Sequence, residues 1–363
     1  MSGTVMIMAG GTGGHVIPAL AVARALRQQS RNVVWLGTHK GLEARLVPAA
    51  NIEMEWVQIG GLRQAGWRKR LLAPLQLLRA LWQSARAIRR RRPAVVLGMG
   101  GFVSGPGGLA AWLLRRPLVI HEQNAVPGLT NKLLSHIATD VYEAFPGTFA
   151  RQVRARHIGN PVRPEIIELE APEKRLSGRE GPVRILVFGG SQGALSLNQE
   201  VPRALGQVAS IRRFDVRHQA GERTLSLARQ AYREAGLEAQ VEPYIEDMAA
   251  AYRWADLVIC RSGALSVAEI AAAGLASILV PYPAAVDDHQ TVNAGFLVDA
   301  GAACLLPETQ LRAGGLQSLL LALTESRQTL LTMAIAAREQ AKPHALPALV
   351  SACIAAGKWE GAS

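Results

Sequence analysis

Three glycine-rich stretches stand out as places where this chain could hold an anion: Gly10-Gly11-Thr12-Gly13-Gly14, Gly98-Met99-Gly100-Gly101 and Gly189-Gly190-Ser191-Gln192-Gly193. Each follows an apolar run that reads as a strand and precedes a helical pattern. At such a turn the first N–H groups of the helix lack intrahelical partners and point, with the positive end of the helix dipole, at one spot. Phosphate suits that spot, and glycine lets a ligand approach the backbone closely. One loop of this kind is weak evidence; three in one chain indicate a phosphorylated or nucleotide ligand. His15 follows the first loop directly. Its imidazole titrates near neutrality, so it could act as general base toward a hydroxyl nucleophile, a contribution of about 10²–10⁴ in rate. Its simpler role would be to cap the helix start.

Other nucleotide signatures fail. The P-loop pattern is absent. The dinucleotide fingerprint breaks at Val16, where a third glycine belongs, and the strand ending Trp35-Leu36-Gly37-Thr38 offers no acid for a ribose. Asp287-Asp288-His289-Gln290 holds a carboxylate pair but reads more simply as a polar loop tip, and no Asp-x-Asp sequence occurs. A metal-chelated diphosphate therefore lacks support, and neither metal nor cofactor is expected. Cys260, Cys304 and Cys353 are far apart, which excludes a disulfide scaffold and suits a reducing compartment.

The elements that must position these groups alternate. Apolar runs at 5–9, 32–36, 94–97 and 117–121 are separated by helical patterns, the first of them over 18–28. This predicts an α/β fold with parallel sheets covered on both faces. A polar connection follows residue 159. The pattern then restarts at 183–188, with further strands at 257–260 and 277–281. The chain of 363 residues thus divides into two α/β halves, each opening with a strand and a glycine turn. The uncharged stretch 93–114 is nominally long enough to span a bilayer, but its six glycines and two prolines read as strand, loop and helix start. Nothing at the first residues suggests export.

The formal charge is +12, and its distribution is informative. From Trp56 to His121 there is no Asp or Glu, while twelve Lys and Arg residues fall there, so this segment carries the whole excess. An anionic partner is implied: nucleic acid, lipid head groups or a phosphorylated substrate. Within it, 70–92 reads as a helix with Leu71, Leu75, Leu78, Trp82 and Ala85 in one stripe, widened by Leu77, Leu81 and Ile88. Such a helix fits an interfacial membrane helix or a core helix with its arginines in water.

Several blocks together resemble the MurG glycosyltransferases: Gly10 to His15, Gly98 to Pro106, His121-Glu122-Gln123-Asn124, Gly159-Asn160-Pro161-Val162-Arg163, Phe188 to Ala194, and Arg261-Ser262-Gly263-Ala264. They run in order through both halves. The resemblance implies a GT-B fold, with two Rossmann-like domains facing across a cleft: 1–160 plus 342–363 for the acceptor and membrane docking, 161–341 for the donor. It implies inverting, metal-independent transfer of GlcNAc from UDP-GlcNAc to the C4 hydroxyl of MurNAc in undecaprenyl-diphospho-MurNAc-pentapeptide, lipid I, at the cytoplasmic face of the inner membrane.

By position, Ser191 and its loop would meet the diphosphate with Arg163 nearby, and Ile245 the uracil edge. Ala264, Leu265, Ser266, Val267, Ala268 and Glu269 would line the nucleotide, Glu269 accepting from the ribose hydroxyls. Gln290, Asn124, Thr12, Gly13 and Gly14 would contact the sugar. The base would be His15, with Glu122 as the alternative, or His15 would serve only the acceptor diphosphate or the loop. Leu71, Leu72, Leu75, Leu78, Trp82 and Trp112, ringed by Arg68, Lys69, Arg79 and Arg86, would dock on an anionic membrane. Cell-wall synthesis proteins are compatible partners. Two other readings compete: a UDP-sugar epimerase of the same architecture, and a nucleic-acid-binding protein. Leu and Trp on the basic helix favour lipid over nucleic acid.

Overall fold

The apolar runs form two sheets in which every pairing is parallel. The computed structural model describes residues 3–60, 73–190 and 193–359. Arg68, Lys69, Leu71, Leu72 and Ser191 lie outside these. The first sheet comprises β1 (Thr4–Met8), β2 (Asn32–Gly37), β3 (Glu53–Trp56), β4 (Val95–Gly98), β5 (Leu118–Glu122), β6 (Asp140–Glu143) and β7 (Arg156–His157), in the order β3-β2-β1-β4-β5-β6-β7. The second comprises β8 (Val183–Phe188), β9 (Phe214–Gln219), β10 (Gln240–Glu242), β11 (Leu257–Cys260), β12 (Ala276–Leu279) and β13 (Ala303–Leu305), in the order β10-β9-β8-β11-β12-β13. Both follow the doubly wound pattern, in which the chain reverses direction across the sheet beside its first strand.

That reversal places two strand ends together in each sheet. In the first, Met8 pairs with Leu36 on one side and Gly98 on the other, so the first two glycine loops leave neighbouring strands at the same edge. In the second, Phe188 pairs with Cys260, bringing Gly189, where the third glycine loop begins, beside Arg261. The strands' buried side chains feed cores on both faces; Val5, Ile7, Val33, Trp35 and Leu97 lie on one side of the first sheet, and Met6, Met8, Val34, Leu36 and Val96 on the other.

The chain divides into two compact units, Met1–Pro161 with His344–Ser363, and Val162–Pro343. The last helix, Ala345–Ala356, packs on helix Gly13–Gln28 and buries Leu349, Val350 and Cys353 in the first unit's core.

The basic helix, Ala73–Arg91, settles which face is core. It buries Ala80, Ser84, Ala87 and Ile88, a narrow strip of mostly small residues that lets it pack closely against helix Ser104–Leu113. The bulky stripe faces outward instead: Leu75 is 64%, Leu78 62% and Trp82 60% exposed, and Trp112 on the neighbouring helix is 49% exposed. The reading of this stripe as core is thereby corrected. Arg79 and Arg86 are exposed, and the Arg86 guanidinium stands 5.6 Å from the Trp82 ring centroid. Arg90 and Arg91 pair with Glu55, and Arg91 also with Glu53, which ties the helix end to β3.

In the second unit His218 is fully buried between the Tyr232 hydroxyl, 3.0 Å from Nδ1, and the Asn198 Oδ1, 2.9 Å from Nε2. Burial lowers its pKa from 6.5 to about 3. Below pH 6.5 the unfolded chain therefore binds a proton that the folded one refuses, and stability falls as pH falls through that window. The thermal midpoint of this unit should decline from pH 6.5 toward pH 4. In His218→Leu the midpoint should be lower throughout but the decline shallower. Calorimetry across this range checks it, and an unchanged slope in the variant would remove His218 as the cause.

Candidate active site

Helix Gly13–Gln28 starts inside the first glycine loop. Thr12 is extended and makes no side-chain cap, and no acidic residue occupies the first turn. The positive end of this helix is therefore left for an outside acceptor. His15, third in the helix, is half-buried and directs Nδ1 at Gln123 Oε1, 2.7 Å away. The second loop lies against the first. A Cβ on Gly101 would collide with the Gly10 carbonyl oxygen, and one on Gly100 would stand 2.7 Å from His15 Nδ1. Both glycines have positive φ, +93° and +83° for Gly100 and Gly101. Only glycine satisfies the backbone and the space together. Ser104 Oγ joins the two strand ends by donating toward the carbonyls of Met8, at 3.1 Å, and Gly100, at 2.8 Å.

Buried carboxylates organise the surrounding loops. Glu43 accepts from Gly11 N at 2.9 Å, Thr38 N at 3.1 Å and Thr38 Oγ1 at 2.7 Å. Glu122 closes β5; its Oε1 accepts from Asn124 N and Nδ2, and its Oε2 from Gly128 N and Asn131 Nδ2. Glu143 does the same for Gly147 N and Phe149 N. With four donors on its two oxygens and 1% exposure, Glu122 is arranged to hold the 122–131 loop and Asn124, and its lone pairs are already spoken for.

In the second unit Arg163 Nη2 lies 2.9 Å from Glu269 Oε1, and the Tyr252 hydroxyl donates to Glu269 Oε2 at 3.1 Å. Burial pushes the Glu269 carboxyl up, against the pull of the Arg163 guanidinium and the Tyr252 hydroxyl. Tyr252 was not among the sequence candidates; a tyrosine inside an ordinary helical pattern carries no signal of its partner. Glu269 sits on helix Ala264–Ala273, whose start follows β11 and whose first turn also holds no acid. Val267 and Ile245 are buried. Ala264 is buried too, while Leu265, Ser266 and Ala268 are half-buried. Gln290 Oε1 accepts from Tyr282 N at 2.9 Å, which fixes its side chain beside the loop after β12. Arg261 is clamped by the Val280 and Pro281 carbonyls, Ser196 and Glu308 and so braces this end of the sheet.

Residues 5–143 match the glycosyltransferase family 28 N-terminal domain, and 184–347 its C-terminal domain. The chain is 54% identical over 355 residues to the UDP-N-acetylglucosamine–N-acetylmuramyl-(pentapeptide) pyrophosphoryl-undecaprenol N-acetylglucosamine transferase of Chromohalobacter salexigens, covering 98% of this chain and 97% of that protein. It is 53% identical over 351 residues to the protein of the same name from Marinobacter nauticus, covering 97% of each. The chain belongs to the MurG family of glycosyltransferases. The crystal structure of Acinetobacter baumannii MurG agrees, with a TM-score of 0.85 at 42% identity over 97% of this chain and 99% of that one. The fold is accordingly GT-B: two α/β domains, each with its own parallel sheet.

Within this MurG-family chain, Glu43 is the site-supporting residue that spacing could not reveal. It lies 32 positions from the Gly11 N–H that it holds, just after the turn that runs from Gly37 to Gly41. Glu43→Ala would leave the Thr38 donors unpaired in a part-buried pocket at a cost of about 1–3 kcal/mol. The first unit should melt earlier by several degrees, and Glu43→Gln should recover part of the loss. Equal melting of Glu43→Ala and the parent protein would count against the clamp.

Proposed function

We propose that this chain transfers GlcNAc from UDP-GlcNAc to the C4 hydroxyl of MurNAc in lipid I, with inversion and without a metal, yielding lipid II. The observation that carries the proposal is His15 at the open start of helix Gly13–Gln28, braced by the second glycine loop, in a chain sharing half its residues over nearly full length with transferases of that name. The first unit takes the acceptor and the second the donor. Ser191 with its loop, Arg163 and Ile245 are assigned to the diphosphate and uracil, and 264–269 to the nucleotide. Gln290, Asn124 and Thr12 to Gly14 are assigned to the transferred sugar.

The His15 imidazole removes the proton from the C4 hydroxyl as that oxygen attacks the anomeric carbon. The bond to UDP breaks, its electron pair leaves on the β-phosphate, and the new linkage is β. Helix-start N–H groups and Arg163 stabilise the charge that grows on UDP. The absence of an Asp-x-Asp sequence supports transfer without a chelated metal. His15 is the better base than Glu122, because a base needs a lone pair that is not already accepting hydrogen bonds.

A lipid-linked acceptor stays in its bilayer, so the enzyme must come to it. No helix among the described residues is long and apolar enough to cross a membrane. The exposed Leu75, Leu78, Trp82 and Trp112 enter the interface, and Arg79 and Arg86 meet anionic head groups, at about 1 kcal/mol per basic residue. The protein is then peripheral, on the cytoplasmic face.

With UDP-GlcNAc and a soluble lipid I analogue in chelator, UDP release should need both substrates and give a β-linked disaccharide by NMR. His15→Ala should lower kcat by about 10²–10⁴. Epimerisation of UDP-GlcNAc without acceptor-dependent release would replace the transferase reading. In sedimentation with phosphatidylglycerol vesicles at low salt, the protein should pellet and Leu75→Glu/Trp82→Glu should stay in solution. The double variant should keep activity on the soluble analogue. Equal pelleting of both would exclude this face as the docking surface.

A further inference from the structure

The contacts of His15 extend inward through two more side chains and end on main-chain carbonyls. His121 is completely buried, and its Nε2 lies 2.9 Å from the Gly159 carbonyl oxygen. A carbonyl oxygen only accepts, so His121 Nε2 carries the proton. Burial lowers the pKa of His121 from 6.5 to about 4, so at neutral pH the ring is uncharged and its Nδ1 is a bare acceptor. Gln123 Nε2 stands 3.0 Å from that Nδ1 and 3.0 Å from the His121 carbonyl oxygen. Both are acceptors, which fixes the amide: its NH₂ faces His121 and its Oε1 faces His15. That Oε1 in turn only accepts, so His15 Nδ1, 2.7 Å away, must be the donor.

We propose that Gln123 is a positioning residue that sets the tautomer of His15, holding the proton on Nδ1 so that Nε2 presents its lone pair for proton abstraction. This rests on the reading of His15 as the base. Asn160 Nδ2 donates to the Gln123 carbonyl oxygen at 3.0 Å and so pins the main chain that carries the amide. Any side chain at position 100 would meet Nδ1, so glycine there leaves the ring room to sit against Gln123. No other described residue hydrogen-bonds the His15 ring, so Nε2 is the nitrogen left for an acceptor hydroxyl. When Nε2 takes its proton, the imidazolium still donates from Nδ1 to Gln123, and nothing in the chain of contacts has to turn over.

This arrangement gives distinct work to motif residues that carry no ligand assignment. His121 and Gly159 orient Gln123, and Asn160 anchors it, so the His121-Glu122-Gln123-Asn124 and Gly159-Asn160 blocks act as one support. His121→Phe should be milder than Gln123→Met, because the His121 main-chain carbonyl still receives the amide when the ring is gone.

The test is ¹⁵N NMR of the histidine rings in the full chain at neutral pH, with His15 assigned by its loss in His15→Gln. The expected spectrum has Nδ1 protonated and Nε2 bare. Gln123→Met, close in shape but without donor or acceptor, should mix the two tautomers. It should also lower kcat by about tenfold or more while leaving KM for UDP-GlcNAc within about twofold. The thermal midpoint of the first unit should match the parent by calorimetry, which reports that the unit carrying the variant is folded. A wild-type ring protonated on Nε2 overturns the proposal, as does a Gln123→Met variant that keeps both the tautomer and kcat. The underlying reading fails separately: an active enzyme whose His15→Ala variant retains its kcat removes the base assignment, while the ring spectrum, taken without substrate, reads the tautomer regardless.

Discussion

Parallel pairing is the constraint on which the rest depends. When all strands of a sheet run the same way, every strand-to-helix loop leaves at one edge and every return loop at the other. Chemistry can then collect only at the first of these edges, and most naturally where β1 and β4, or β8 and β11, diverge in connection. The glycines follow from this. Two loops leaving adjacent strands about 4.8 Å apart have little room for side chains between them. At Gly101 even one methyl would collide with the neighbouring backbone.

Loops gathered so tightly still need their N–H groups satisfied, and the first unit does this with carboxylates. Glu43, Glu122 and Glu143 are all buried and all accept main-chain N–H groups at this edge. A carboxylate offers about four lone-pair sites, so one side chain can gather several donors that a neutral group could not. Charge-assisted bonds of this kind are also the stronger ones. Such clamps combine rigid walls with a helix start that remains free for a ligand.

Much of this was legible in the residues. The glycine loops, His15, the restart at Val183 and the acid-free basic segment all carry local signals, and the parallel strands with apolar side chains on both faces announce themselves. Other features do not. β9 runs Phe-Asp-Val-Arg-His-Gln, and its polar side chains are accommodated by partners far away in sequence, such as Asn198 and Tyr232 for His218. The helix of His15 begins at Gly13 although Gly-Gly and Pro18 argue for a later start; sheet packing overrides propensity there. Pairings such as Arg163 with Glu269, or Glu43 with Gly11, depend on contacts separated by 106 and 32 residues, which no spacing rule anticipates.

The helix Ala73–Arg91 separates two kinds of selection on one element. Its inner strip of Ala80, Ser84, Ala87 and Ile88 is buried against the domain, whereas the outer stripe of Leu75, Leu78 and Trp82 is exposed. Leu81 and Ala85 lie between the two faces, partly buried against the core. Leucine, isoleucine, phenylalanine or methionine can therefore exchange along the outer stripe, and arginine with lysine around it, without disturbing a single contact of the catalytic loops. On the proposed docking role, a lineage whose envelope changes in thickness or head-group charge can retune this surface one residue at a time, with the chemistry held constant.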